Sequence, residues 1–180
     1  MGWLPWLEPL AEADLTPRHH EGLTEASRAK SPYFMLLAHD PDVLGARTRA
    51  DKDIFYNADG GLPRAERELA AAAASRVNGC ILCASVHARF AAHHSKRGPD
   101  VDALLEEGAT VPLTGRWGAV VRGSAALTAT PPAFGPAQAA ELGRAGLTAD
   151  EGVDLVLAAA FFAWANRLML SLGEPSPPPA

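Results

Sequence analysis

Five consecutive alanines, Ala70 to Ala74, follow Leu69 and run through Ser75-Arg76-Val77 into Asn78-Gly79. Alanine is the strongest helix former, so this segment reads as a helix opened near Leu62-Pro63 that neighbouring helices can approach closely. Asn-Gly ends it, because both residues tolerate a left-handed backbone that a branched side chain would not. No segment alternates apolar and polar residues with period 2, β-branched and aromatic residues are sparse, and there is no glycine-rich phosphate loop. The expected fold class is all-α.

The chain's two cysteines, Cys80 and Cys83, come directly after this stop, and His87 follows four residues beyond the second. A second helix starting at Cys80 puts positions 80, 83 and 87 within roughly 60° of one another on one face, at about 100° per residue. The helix N-terminus and a protonated His87 would both favour thiolate at Cys83. Glu68 lies twelve positions before Cys80 in the preceding helix, and a tight Asn-Gly turn folds that helix back toward the dithiol. Glu68, Cys80, Cys83 and His87 together supply an acid-base pair, a nucleophile and a resolving partner, the set that reversible dithiol chemistry needs.

Glu68-x11-Cys80-x2-Cys83-x3-His87, led by Ser75-Arg76-Val77-Asn78-Gly79, resembles the active-site signature of the AhpD-like alkylhydroperoxidase and carboxymuconolactone decarboxylase superfamily. It is most similar to the peroxidase-related branch. Ala145-Gly146-Leu147-Thr148 through Glu151, Asp154 and Asn166-Arg167-Leu168 resembles that branch's C-terminal helix, so the resemblance spans roughly residues 20 to 173. It implies an AhpD-like helical bundle, usually a homo-oligomer, with catalytic Glu68, Cys80, Cys83 and His87. It also implies a peroxidase that attacks organic or hydrogen peroxide through Cys83, resolves through Cys80, relays protons through Glu68 and His87, and is re-reduced by a thiol carrier or lipoylated protein. No metal, flavin or haem is expected. Leu82 departs from the pattern: the best-studied AhpD-type enzymes have histidine there and many peroxidase-related relatives have tyrosine. Leucine carries no proton.

Two other functions share these residues. A carboxymuconolactone-decarboxylase-type lyase does not depend on a cysteine pair, which counts against it here. A non-enzymatic redox sensor would oxidise once per molecule, whereas a peroxidase turns over. A zinc site completed by His87 with His93 or His94 would place its ligands on a single helix and strain the tetrahedron. Without the spacing match, Glu68 beside Arg64 and Arg67 would read as an ordinary solvated glutamate. His19, His20, His39, His93 and His94 receive no role.

Charge narrows the partners. Lys and Arg number 16 against 21 Asp and Glu, a net charge of -5 with no basic block, which argues against nucleic acid. Two cysteines in one motif fit a reducing compartment. The N-terminus lacks a basic start and apolar core, and the longest uncharged apolar run, Leu155 to Ala165, falls short of the ~20 residues that span a bilayer. A soluble, cytoplasmic protein is expected.

In chain order, residues 1–20 read as an irregular arm carrying Trp3 and Trp6, residues 21–173 as one helical domain, and residues 174–180 as a disordered proline-rich tail. Within the domain, helices are expected from Glu21 to Ser31, Tyr33 to Ala38, Asp42 to Tyr56, and on either side of Asn78-Gly79, the second reaching Lys96. Further helices are expected over Asp100 to Glu107, 115–129 behind a Thr114 cap, Pro136 to Arg144, and from a Thr148–Glu151 capping box to Gly173.

Overall fold

The computed structural model describes residues 2–176. Nine α-helices and one two-stranded sheet lie among them, in the order β1 (Gly2–Pro5), α1 (Pro17–Leu23), α2 (Pro32–Leu37), α3 (Pro41–Tyr56), α4 (Arg64–Asn78), α5 (Ile81–Ser95), α6 (Gly98–Glu107), α7 (Gly115–Thr128), α8 (Pro136–Arg144), α9 (Ala149–Leu172) and β2 (Gly173–Ser176), with short 3₁₀ turns at Glu12–Asp14 and Ala26–Lys30. Packing divides the chain into two compact units, residues 1–53 with 168–180, and residues 54–167.

In the first unit, Leu23, Met35, Ala38 and Leu44 form a core against which Leu10, Leu15 and Phe34 pack. The expected helix from Glu21 to Ser31 is interrupted. α1 begins earlier, at Pro17 behind the Thr16 cap, and stops where Thr24 takes a left-handed backbone, leaving Ala26–Lys30 as a 3₁₀ turn. The terminal segments also differ from expectation. β1 pairs antiparallel with β2 in the register Gly2↔Ser176 to Pro5↔Gly173, so part of the arm and residues 174–176 of the tail are ordered strand. Pro177 to Ala180 lie outside the described residues. The pairing is fixed by side-chain contacts rather than by strand propensity: the Trp3 indole N–H donates to the Met169 carbonyl at 3.1 Å, and its ring meets Tyr33 edge-on at 5.4 Å. A Cβ on Gly173 would stand 2.3 Å from the Trp3 ring, so only glycine fits there.

The second unit is built around α4. Ala70 to Ala74 are fully buried, and both α5 and α7 pack on this helix. Small side chains permit that double approach. Arg67 directs its three nitrogens to the carbonyls of Leu62, Ile54 and Asn57, satisfying acceptors at and beyond the end of α3. Arg116 of α7 is shared between Glu66 of α4 and Glu151 of α9, at 2.8 Å and 2.5 Å. The Thr148 capping box forms as expected, with Glu151 N–H on Thr148 Oγ and Thr148 N–H on the Glu151 carboxylate. Thr114 flanks α7 but makes no side-chain cap.

α9 is apolar and long enough, by length and composition, to cross a membrane, with a mean hydropathy of 1.7 over eighteen residues, 44% of them buried. Counting only its longest uncharged apolar run understates its length. Leu155, Ala158, Ala159 and Phe162 are buried core residues along it.

Candidate active site

The turn between α4 and α5 sets the site. Gly79 takes φ +76°, closing α4 with Cys80 N–H donating back to the Ser75 carbonyl at 3.0 Å, a Schellman-type stop. α5 then opens at Ile81, one residue later than the sequence suggests, with Cys80 as its flanking N-terminal residue. Cys83 falls in the first turn and His87 one turn further on. Both cysteines are buried free thiols, with sulfurs 2.8 Å apart.

The Cys80 thiol is pulled from 9.0 down to about 7. The largest cause is the hydrogen bond shared with the Cys83 thiol, opposed by burial. The Cys83 backbone, the Asn166 side chain and the Leu82 backbone reinforce it. The sequence reading expects thiolate at Cys83; the shift the structure shows is at its hydrogen-bonded neighbour Cys80.

On one side of the dithiol lies a charged relay. Glu68 is 1% exposed, and both of its oxygens are engaged. Oε1 accepts from Arg64 Nε at 2.7 Å with Arg64 Nη2 at 2.5 Å, and Oε2 lies 2.5 Å from His87 Nδ1. A carboxylate this deep is tolerable only with such partners. It is not the solvated glutamate of the bland reading. The His87 ring is clamped between Phe162, at 3.9 Å between ring centroids, and Phe55, at 5.5 Å. With Nδ1 occupied by Glu68, Nε2 is left for a reacting group. Arg64 is steadied by Tyr56, whose ring lies 4.0 Å from the guanidinium.

On the other side lies a neutral cluster. Asn166 of α9, fully buried, accepts from Asn78 Nδ2 at 3.0 Å and donates to Ser75 Oγ at 3.1 Å. A cavity of about 420 Å3, bounded by Arg76, Cys80, Ile81, Ala84 and Leu105, reaches Cys80.

The structure pairs Glu68 with His87 and Cys80 with Cys83, and Cys83 and His87 lie one turn apart on α5. Arg64, Phe55, Phe162 and Asn166 were missed as site residues. Arg64 was legible as an i−4 partner of Glu68, and Asn166 as a lone amide in an apolar helix. Leu82 is half-buried on α5 and offers no proton, as expected. His93 and His94 are exposed at the end of α5. His94 is held toward its neutral form by burial, with Arg64 adding to the effect. Among the described residues no three ligand-type side chains cluster in a way that could hold a metal ion.

Residues 41–130, half of the chain, match the model of the carboxymuconolactone decarboxylase family. The chain belongs to that family. Its fold is AhpD-like: a peroxidase-related protein from Ralstonia eutropha JMP134, described as an alkylhydroperoxidase AhpD core, superposes with a TM-score of 0.75 at 23% identity, covering 93% of this chain and 89% of that one. A peroxidase-related protein from Silicibacter sp. TM1040 aligns over 77% and 72% at 22% identity, TM-score 0.67. The debrominase Bmp8 aligns over 92% and 89% at 18% identity, TM-score 0.73. A cysteine-to-alanine variant of that debrominase has been solved with 2,3,4-tribromopyrrole. No curated protein matches the sequence.

Proposed function

We propose that this family member is a dithiol peroxidase, reducing organic or hydrogen peroxides through a cycle between the Cys80–Cys83 dithiol and its disulfide. The observation that carries this reading is two buried thiols 2.8 Å apart, one held near pH 7, within a helix turn of a His87–Glu68 pair. At rest the pair shares one proton, with charge on Cys80. Cys83, one turn from His87, passes its proton to Cys80 and attacks the peroxide. The S–O bond forms as the O–O bond breaks, and the Glu68–His87 pair protonates the departing alkoxide. Cys80 returns its proton to that pair and closes on the Cys83 sulfenic acid, expelling water.

Two electrons leave the dithiol for each peroxide, with one proton from the dithiol and one from the Glu68–His87 pair, so a dithiol reductant, such as a thiol carrier or lipoylated protein, must restore them. A free dithiol of this kind fits a reducing, cytoplasmic setting. The test is steady-state consumption of cumene hydroperoxide with dihydrolipoamide; sustained turnover lost in Cys83→Ser is expected, and a single stoichiometric oxidation would instead indicate a sensor.

The debrominase likeness favours a second reading, in which the same dithiol reduces an aryl bromide, giving the arene, bromide and the disulfide. Bromide release from a bromopyrrole, faster than peroxide consumption, would establish that reading in place of the first.

A further inference from the structure

The neutral cluster beneath Cys80 takes no part in the proton relay. Its central residue, Asn166, sits within the most hydrophobic helix of the chain and is fully buried. A buried carboxamide destabilises the fold unless its donors and acceptor are matched, and here each group has a partner. The oxygen takes the Asn78 amide at 3.0 Å and the nitrogen donates to Ser75 Oγ at 3.1 Å, while the same side chain favours ionisation of the Cys80 thiol. Ser75 also accepts the Cys80 backbone N–H through its carbonyl, so the three-residue brace reaches Cys80 through its backbone. An amide N–H donates a hydrogen bond and cannot accept one from a thiol. It therefore stabilises a thiolate more than a thiol.

We infer that Asn166, braced by Ser75 and Asn78, is a positioning residue for the resolving sulfur: it holds Cys80 against Cys83 in the form that closes the disulfide before a second peroxide arrives. The inference rests on the dithiol peroxidase reading. In the step concerned, ionised Cys80 attacks the sulfur of the Cys83 sulfenic acid. The S–S bond forms, the S–O bond breaks, and the hydroxide takes the proton held by the Glu68–His87 pair to leave as water. Cys80 is oxidised and the sulfenic sulfur reduced. If closure is slow, the sulfenic acid meets another peroxide and becomes a sulfinic acid, with release of alcohol. The groups around Cys80 are Cys83 from α5, Arg76 from the last turn of α4 on the shared cavity wall, apolar Leu105 from α6, and Asn166 from α9. Asn166 is neutral, so it acts by hydrogen bonding rather than by charge.

The test uses reduced full-length protein, wild type, Asn166→Ala and Asn78→Ala, with circular dichroism to confirm folding. Thiolate absorbance is titrated against pH, and intact mass is recorded after excess cumene hydroperoxide. In Asn166→Ala the lower thiol pKa should rise from about 7 to about 8, and the fraction gaining two oxygen atoms should rise several-fold. Asn78→Ala should move both readouts the same way by less, and it carries the test if Asn166→Ala fails to fold. A folded variant that titrates and over-oxidises like wild type overturns the inference while leaving the peroxidase reading intact. If wild type forms no disulfide with peroxide, both fall together.

Discussion

The two polar clusters flanking the dithiol differ in kind. Arg64, Glu68 and His87 are charged or chargeable and sit on two helices joined by one turn, with Glu68 four residues from Arg64 and nineteen from His87. Ser75, Asn78 and Asn166 are neutral, and their contacts span 88 and 91 residues. The first set can move a proton. The second can only donate and accept hydrogen bonds, so it fixes position. Proton transfer and hydrogen-bonded placement are thus divided between two clusters of side chains.

The largest expected effect falls on the dithiol itself: Cys83→Ser should lower peroxide turnover at least about a thousandfold. Next, Glu68→Gln should reduce kcat about a hundredfold and, by stripping Arg64 of a buried partner, lower the unfolding free energy by about 3 kcal/mol in urea titrations. Asn166→Ala should retain most of its initial turnover rate yet inactivate progressively as Cys83 over-oxidises. If Glu68→Gln and Asn166→Ala shared one profile, the division between the clusters would collapse.

pH sharpens the same contrast. The native Cys80 pKa, about 7, lies below the ordinary 9.0, so the folded protein releases this proton first. The stabilisation this gives is absent below about pH 7, grows as pH rises, and is complete above the unfolded value near 9. Melting temperatures of reduced wild type and Cys80→Ser should therefore diverge between pH 6 and 9, and turnover should rise through pH 7. A pH-independent difference would contradict the shifted thiol. The smallest effect is expected at the turn. Gly79→Ala meets no atom within 4 Å but must keep φ +76°, costing about 1 kcal/mol in stability.

How much of this was legible follows from distance along the chain. Helix periods, the Asn78-Gly79 stop and the spacing from Glu68 to His87 are local, and they yielded α3 to α9 and four site residues. The start of α5 was misplaced by one residue because Cys80 closes one helix and flanks the next. The pairing of Gly2–Pro5 with Gly173–Ser176 left no trace, since both strands are four residues long and contain proline. Asn166 was visible as an anomaly within an apolar helix. Its partners were not, because only the fold brings residues 75, 78 and 166 together.

The most direct measurement adds one equivalent of cumene hydroperoxide to reduced protein, counts free thiols, maps the products by mass spectrometry, and then adds dihydrolipoamide. The dithiol cycle predicts loss of two thiols per equivalent, a single Cys80–Cys83 disulfide, and recovery of both thiols with renewed peroxide consumption. Thiols that persist through exposure, or a disulfide that forms once and never supports a second turnover, would contradict it.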